Sequence, residues 1–485
     1  MPYVEYRPDV SDLLGQYTQV ATNVVPRGDG YGPFPSFSGY TAALDDSCRG
    51  FFKALRTDGS VSIFAATATK IYQLDNTDLT WDDVSKSLGT YSALSSTDQW
   101  QFAQFGNFVI AVQANVAPQV FDLTVSTEFA DLAGSPPQAR YISIVGRFVV
   151  LSGLLSFPYR IQWSGLNATT TWTSGVNSSD FQDFPDGGTV RGVAGGEFGM
   201  VFQDGAIRRM TYAPGSPVIF QIERISDDQG LYAAYSLVRS GDRIFYRSAR
   251  GFEMFTSGSV QSVQIGKERV DRTFQDDVDA GNLQLFLGAA DPRSSRVFWA
   301  YKSISGVSGK FDKLLCYDYA LNRFSGPINV SGEFLSSLSQ PGVTLEGLDA
   351  ISTSIDLLPA SLDSYTTSVT PEIAAFDATH VLGFFRGDNL EAVVETQEQG
   401  TDGRRIFVRG VRPITDAATV YCSISKRENA SAARTWTTET LVNGQGFCPA
   451  RASTRYARAR TRIPAATDWT YASGVEPEVS QEGGR

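Results

Sequence analysis

The chain has 485 residues, 42% hydrophobic and 12% aromatic, enough to bury a large core and to fill two or three domains. Its 41 basic against 52 acidic side chains leave a net charge of −11, which argues against a nucleic-acid clamp, because gripping phosphates needs lysines and arginines gathered on one face. No apolar run is long enough to span a membrane, and the start MPYVEYRPDV lacks the basic-then-apolar pattern of a secretory signal, so a protein made and kept in a cytoplasm is expected.

Residues 1–40 read as an extended N-terminal arm. They are turn-rich, with Pro26, Pro33 and Pro35 and four glycines between 28 and 39, yet Tyr31, Phe34, Phe37 and Tyr40 are too apolar for a solvated tail. Two roles are open to such an arm: lying across a neighbouring subunit, or supplying a strand that closes a ring.

From 41 to 345 one pattern returns six times: a turn, a run of β-branched and aromatic residues, a second turn, then an alternating apolar strand. The copies are GSVSIFAATATKIYQL (59–74), GNFVIAVQANVAPQVFDL (106–123), GRFVVLSGLLSFPYRIQW (146–163), GGEFGMVFQDGAIRRM (195–210), GDRIFYRSARGFEMF (241–255) and SRVFWAY with KLLCYD (295–301, 313–318). Aligned on Phe64, Phe108, Phe148, Phe202, Phe245 and Phe298, taken as the first strand of each copy, they are spaced by 44, 40, 54, 43 and 53 residues. Short strands repeating at this period predict an all-β fold built on a β-propeller of six blades, with room for a seventh partly made from flanking strands. The period then fades, and 346–374 reads as an interdomain connection. Strand patterns resume over 375–485 in HVLGFFRG, LEAVVETQEQ, RRIFVRGVRPI, ATVYCSISKR, RTWTTETLV and STRYARARTRIP, predicting a C-terminal antiparallel β-sandwich-like domain. In the last of these, Arg458, Arg460 and Arg462 share one face of a strand, an arrangement that calls for carboxylates opposite.

Chemistry is sparse. Cys48, Cys316, Cys422 and Cys448 lie far apart in sequence without metal-ligand spacing and read as buried thiols, with neither a zinc site nor a disulfide framework. His380 is the only histidine, which excludes histidine triads and multi-histidine metal sites. No GxSxG elbow or phosphate-binding GxxxxGK[ST] loop occurs, so nucleotide hydrolysis has no support. The acid groups Asp227 with Asp228, and Asp276 with Asp277 and Asp279, are candidates for glycosidase carboxylates, although adjacent acids on turns more often cap or face water. DNTDLTW (75–81) and NATTTW (167–172) faintly echo the Asp-box of sialidases without its spacing, and Arg462-Ile463-Pro464 matches the sialidase Arg-Ile-Pro at the wrong end of the chain. Trp81, Trp172, Trp436 and Trp469 read as aromatics packing turns. No catalytic, cofactor-binding or metal-binding residue is assigned, and no cofactor is expected.

The stretch PQARYISIVGRFVVLSG, PYRIQWSGL, SSDFQDFPDGG, VRGVAGGEFGMVFQDGAIRRMTYAPG and AADPRSSRVFWAY resembles the β-propeller nozzle, or packaged-DNA stabilisation, proteins of short-tailed bacteriophages. The likeness extends from YRPDV near the start to STRYARARTRIPAATDWTYASGVEPE near the end. It implies a structural, non-enzymatic virion protein: a ring, usually a homo-hexamer, assembled in the host bacterial cytoplasm and docked below the portal and adaptor. Such a ring lines and gates the channel through which double-stranded DNA leaves. Tail fibres or other tail proteins, and the host surface at the tip, are further partners the likeness implies. An acidic wall suits that role, since like charge lets the duplex slide instead of sticking. The alternative is a receptor-binding or polysaccharide-degrading tail component, although no β-helical or collagen-like repeat typical of those trimers is visible. Arg208, Arg209, Arg404, Arg405 and the 456–462 arginines are candidates for contacts to other subunits or the adaptor, with solvated strand faces as the default.

Overall fold

The computed structural model describes the chain except for residues 12–16, 217, 257, 260, 341–347, 349–351, 353, 359–367, 401–403 and 482–485. Among the described residues the protein is all-β, and its longest helix is α1 (Asp271–Asp277). Six antiparallel sheets follow one another along the chain. Sheet I comprises Phe51–Leu55, Val61–Ala66, Ile71–Leu74 and Trp81–Asp83; sheet II, Gln101–Phe105, Phe108–Gln113, Val116–Asp122 and Ala130–Asp131. Sheet III is built from Ala139–Val145, Phe148–Leu154, Arg160–Trp163 and Asp180–Asp183, and sheet IV from Val190–Ala194, Gly199–Gln203, Ile207–Tyr212 and Phe220–Ser226. Sheet V holds Val238–Ser240, Arg243–Arg247, Phe252–Thr256 and Val263–Gln264, and sheet VI holds Leu287–Ala290, Arg296–Tyr301, Phe311–Asp318 and Arg323–Phe324.

A seventh group, sheet VII, joins distant parts of the chain. Ile328–Gln340, Ser368–Asp377 and Val381–Asn389 run side by side, and the outer strand is Pro35–Ala43 from the N-terminus, paired through Phe384↔Ser38 and Phe385↔Phe37. Gly383 is needed at that seam, because a Cβ there would run into the Ser38 carbonyl. The start of Ile328–Gln340 also pairs with Phe311–Asp318, so sheets VI and VII are hydrogen-bonded into one.

Each sheet buries one face on its predecessor and the other on its successor. Phe64 of sheet I meets Phe121 and Phe129 at ring distances of 5.1 and 5.6 Å between sheets I and II. Val145, Phe148 and Trp163 pack on Val193, Val201 and Phe220 between III and IV. Phe376 and Phe384 of sheet VII pack on Phe51, Ile63 and Tyr72 of sheet I. Edge-to-face pairs of this kind add about 0.5–1.5 kcal/mol each beyond the area they bury. The repeat seen in sequence is therefore present, shifted by one strand: Phe64, Phe108, Phe148, Phe202, Phe245 and Phe298 all lie in second strands, not first ones.

Two further sheets face each other across a shared core. One orders Val24–Arg27, Gly30–Pro33, Ala472–Gln481, Ile406–Thr415 and Cys448–Thr454. The other orders Ala21–Thr22, Ala392–Glu395, Tyr456–Ile463, Tyr421–Arg427 and Thr435–Trp436, with short edge pieces. Val408, Val411 and Val475 of the first pack with Ile424, Ala459 and Ile463 of the second. The division expected at 375 falls inside a strand of sheet VII, and HVLGFFRG belongs to that sheet because its partner strands are Ser368–Asp377 and Pro35–Ala43. Much of the connection expected over 346–374 lies outside the described residues; from Ser368 onward it is strand.

The N-terminal segment lies on its own chain. The amino group of Met1 donates to Val475 O at 2.8 Å, Tyr3 Oη donates to Thr461 Oγ1 at 2.5 Å, and Tyr31 Oη donates to Val4 O at 2.7 Å. Asp9 accepts from the backbone N–H groups of Arg272 and Thr273, both at 2.8 Å, so a residue 263 positions away caps α1. Tyr31 and Phe34 are buried, as their apolar character requires.

Candidate functional site

The first strands of the seven sheets approach one another around a shared cavity. Most are only half-buried, and four polar side chains lie on them or at their start: Gln101, Arg140, Arg191 and Arg239. Residues from all seven line a cavity of about 300 Å³, among them Phe52, Phe102, Arg191, Arg239, Gly288 and Phe334. Toward one end lies a second cavity of about 360 Å³, bordered by Asp98, Arg140, Tyr232 and Gln284. Tyr141, Arg191, Ala234 and Tyr235 line both, and the rings of Tyr141 and Tyr235 meet edge-on at 6.0 Å. Burial pushes both phenols up, Tyr141 to about 12.

The waist is fixed by hydrogen bonds between sheets. The Gln99 backbone N–H donates to Tyr235 Oη at 2.9 Å, and its side-chain amide donates to Gln284 O at 3.0 Å. Arg49 donates from Nε to Gln99 Oε1 at 2.9 Å and also grips the carbonyls of Ser95, Ser96 and Asp98; burial lowers its pKa. Arg140 Nε meets the Asp98 carboxylate at 3.3 Å, and Arg191 Nε meets Asp204 at 2.6 Å. The cavity is thus locally cationic within an acidic chain.

Acid groups singled out in the sequence do not converge. Asp227 pairs with Arg224 and Asp228 with Arg250. Asp277 holds Lys313 at 2.7 Å, Asp279 holds Lys302 at 2.7 Å, and Asp276 is exposed. His380 sits in a turn at φ +68°, with Nδ1 2.8 Å from the buried Glu333 carboxylate. The two turns with an Asp-box echo both connect third to fourth strands, and their tryptophans pack. Trp81 lies 5.7 Å from Phe376 and donates to Ala42 O, while buried Trp172 donates to Thr169 O at 2.7 Å. Trp469 is buried, and Trp436 carries the Arg460 guanidinium 3.8 Å above its ring.

The arginines of Tyr456–Ile463 meet the carboxylates their spacing calls for: Arg458 and Arg460 share buried Glu395 at 2.7 Å each, and Arg462 bridges Glu391 and Glu439 at 3.0 and 2.9 Å. Arg208 pairs with Asp186 at 2.6 Å, Arg209 donates to Ser259 O at 2.8 Å, Arg405 pairs with Glu428 at 2.6 Å, and Arg404 is exposed. All four cysteines are free and buried. The fold brings Cys422 and Cys448 together, which their separation in sequence concealed; their mutual hydrogen bond and burial push Cys422 up, and the same bond holds Cys448 down. Among the described residues no group of three or more His, Cys, Asp or Glu is arranged to hold a metal ion, and no helix is long and apolar enough to cross a membrane. The sequence reading missed the arginines and tyrosines of this cavity altogether; the available signal was an arginine or glutamine recurring in the first strand of sheets II to V.

No protein-family model matches the chain, and neither does any curated protein. Among solved structures it is similar to the computationally designed Ika8 protein, at 10% identity and a TM-score of 0.37, covering 73% of this chain and 100% of that one. It is also similar to the extracellular domain of a hybrid two-component system from B. thetaiotaomicron, at 8% identity and a TM-score of 0.42, covering 87% of this chain and 47% of that one. Neither likeness carries an assignment of function.

Proposed function

We propose that this chain is a structural tail protein of a short-tailed bacteriophage: a nozzle subunit that joins other copies in a ring, a hexamer in the form the resemblance implies, below the portal and adaptor. The ring lines and gates the DNA exit channel and retains the packaged genome in the virion. In this reading sheets I to VII are the blades of a closed seven-bladed propeller, with Pro35–Ala43 as the closing strand. The observation that carries the proposal is the resemblance of the chain to nozzle proteins, whose phrases fall on consecutive strands of sheets III, IV and VI. PQARYISIVGRFVVLSG with PYRIQWSGL covers the first three strands of sheet III and SSDFQDFPDGG the fourth, VRGVAGGEFGMVFQDGAIRRMTYAPG covers the first three strands of sheet IV, and AADPRSSRVFWAY opens sheet VI.

The cavity geometry supports passage between copies and not through one. A duplex whose major groove alone is about 12 Å wide cannot enter a cavity of about 300 Å³ narrowed by Tyr141 and Tyr235. The net charge of −11 suits a wall that repels phosphate. Opening would be a rigid-body or loop movement driven by contact elsewhere in the tail. The chain is not an enzyme in this reading, since each pair of candidate acids is engaged by cations or exposed.

Electron cryo-microscopy of intact particles tests this. A symmetric ring of this chain around axial DNA density is the expected result. A peripheral three-fold position would favour the alternative, a receptor-binding or polysaccharide-degrading component, and absence from the particle would overturn both.

A further inference from the structure

We infer that the shared cavity is a binding site for a small acidic sugar, a hexuronate or a comparable carboxylate-bearing monosaccharide unit. Three guanidiniums border the two connected chambers, and each commits only its Nε. Arg140 donates Nε to Asp98, Arg191 donates Nε to Asp204 and Arg239 donates Nε to Gly241 O at 3.1 Å. Their Nη groups make no hydrogen bond within the protein among the described residues. A terminal Nη pair is the part of arginine that takes a carboxylate in a two-pronged, charge-assisted bond. Gly196 is what lets Arg239 lie where it does: any Cβ at 196 would collide with that guanidinium.

A second, independent feature points into the same space. Tyr141 is 6% exposed and lines both chambers, yet its hydroxyl bonds to no protein group among the described residues. The ring is buried while the hydroxyl stays open to the chambers, where it can donate to or accept from a ligand. Its neighbours are the Arg191 and Arg140 cations, the Asp98 and Asp204 carboxylates they hold, and Tyr235. The apolar side is supplied by Phe52 and Phe102, stacked at 6.1 Å and 13°, which offer flat surfaces to the C–H face of a pyranose. A volume of about 300 Å³ is at the small end of ligand pockets and suits one sugar unit, not a chain passing through. The site lies within a single copy and does not depend on the assembly proposed above.

Saturation-transfer NMR and calorimetry on the full chain test the site with D-glucuronate, D-glucose and inorganic phosphate as probes. Saturable glucuronate binding is expected, about tenfold tighter than glucose or phosphate. Arg239→Gln, at an exposed position, and Tyr141→Phe, which keeps the ring, should each weaken it roughly fivefold while the melting temperature stays put. Should Arg239→Gln fail to fold, the isosteric Tyr141→Phe still decides. No saturable glucuronate binding would overturn the inference. Glucose binding equally well would remove the role of the arginines, phosphate binding equally well would remove the sugar, and unaltered binding in both variants would move the ligand elsewhere; each of these also overturns it.

Discussion

Between sheets I and II the buried hydrophobic contacts include Phe64, Phe121, Phe129 and Trp100. In the C-terminal pair of sheets, equally buried positions hold Glu398 with Arg427 and Glu395 with Arg458. The seven sheets hold each other chiefly by area and aromatic geometry, which tolerate small shifts at each junction, with polar bonds such as Arg140 to Asp98 added at the first strands. The C-terminal pair is held in part by ion pairs removed from water, whose attraction only offsets their desolvation when geometry is good. One region is stabilised by the repetition of a generic contact, the other by a few specific ones.

The largest expected effect removes what the two regions share. Residues 1–43 contribute strands to the C-terminal sheets through Val24–Arg27 and Gly30–Pro33, and the outer strand of sheet VII through Pro35–Ala43. Deleting 1–43 should cost more than about 5 kcal/mol, the scale of a whole domain's stability, and abolish cooperative unfolding. Deleting only 1–34 spares the strand on sheet VII, so thermal unfolding should then show a lost C-terminal transition beside a retained one. A single unaltered transition in the shorter deletion would mean that the two regions are not separable in this way.

Next in size are two substitutions that cost the same for different reasons. Phe148→Ala opens a cavity between sheets III and IV, and Glu398→Ala takes the shared carboxylate from Arg427, 9% exposed, and from the more open Arg434. Each should cost about 3–5 kcal/mol in urea denaturation. They part on rescue: adding Arg427→Met to Glu398→Ala should recover most of the loss, because it removes the stranded charge. A double variant no more stable than the single one would show that charge is not what distinguishes the C-terminal pair.

How much of this was legible follows from burial. Second strands are buried on both faces, as in Phe148–Leu154, and so read as apolar runs that repeat. First strands are half-polar at the cavity, and fourth strands such as Trp81–Asp83 are short and partly exposed, which is why the repeat was seen one strand out of phase. Sheet VII had no period to find, since its strands come from 35–43 and 328–389. The arginine face of Tyr456–Ile463 was legible as alternation, but its partners Glu391, Glu395 and Glu439 could be found only through pairing. Arg140, Arg191 and Arg239 were invisible as a site because each is an ordinary arginine in its own strand, and only the convergence of the sheets brings them together.

A smaller effect separates the regions by pH, at the seam where sheets V and VI meet the N-terminal segment. Burial raises Asp271 to about 6, against the pull of the Phe252 N–H at 2.9 Å. The folded state then holds that proton more tightly than the unfolded chain, so stability from this group rises as pH falls from about 6 to about 4. Carboxylates held down by arginine, such as Asp183 beside Arg160, act oppositely and lose stability as pH falls through their lowered values. Relative to Asp271→Asn, the native protein should gain about 1–2 kcal/mol on acidification through that window. A difference in melting temperature between the two that stays constant with pH would remove Asp271 from the account.

The smallest effect tests whether burial, and not the ion pair as such, makes the C-terminal charges matter. Arg458 and Arg462 lie on the same face of one strand and each binds glutamate below 3.1 Å, but the Arg458 side chain is 3% exposed and the Arg462 side chain 25%. Arg462 also rests 4.4 Å from the Tyr421 ring centroid, so its removal costs some packing as well as charge. Because Glu391 and Glu439 are open to water and are resolvated once Arg462 is gone, Arg462→Ala should cost only about 0.2–1 kcal/mol and less still at high salt. A loss at Arg462 as large as at Arg458, and insensitive to salt, would mean that pairing itself carries the energy and that the contrast between the two regions rests on charge alone.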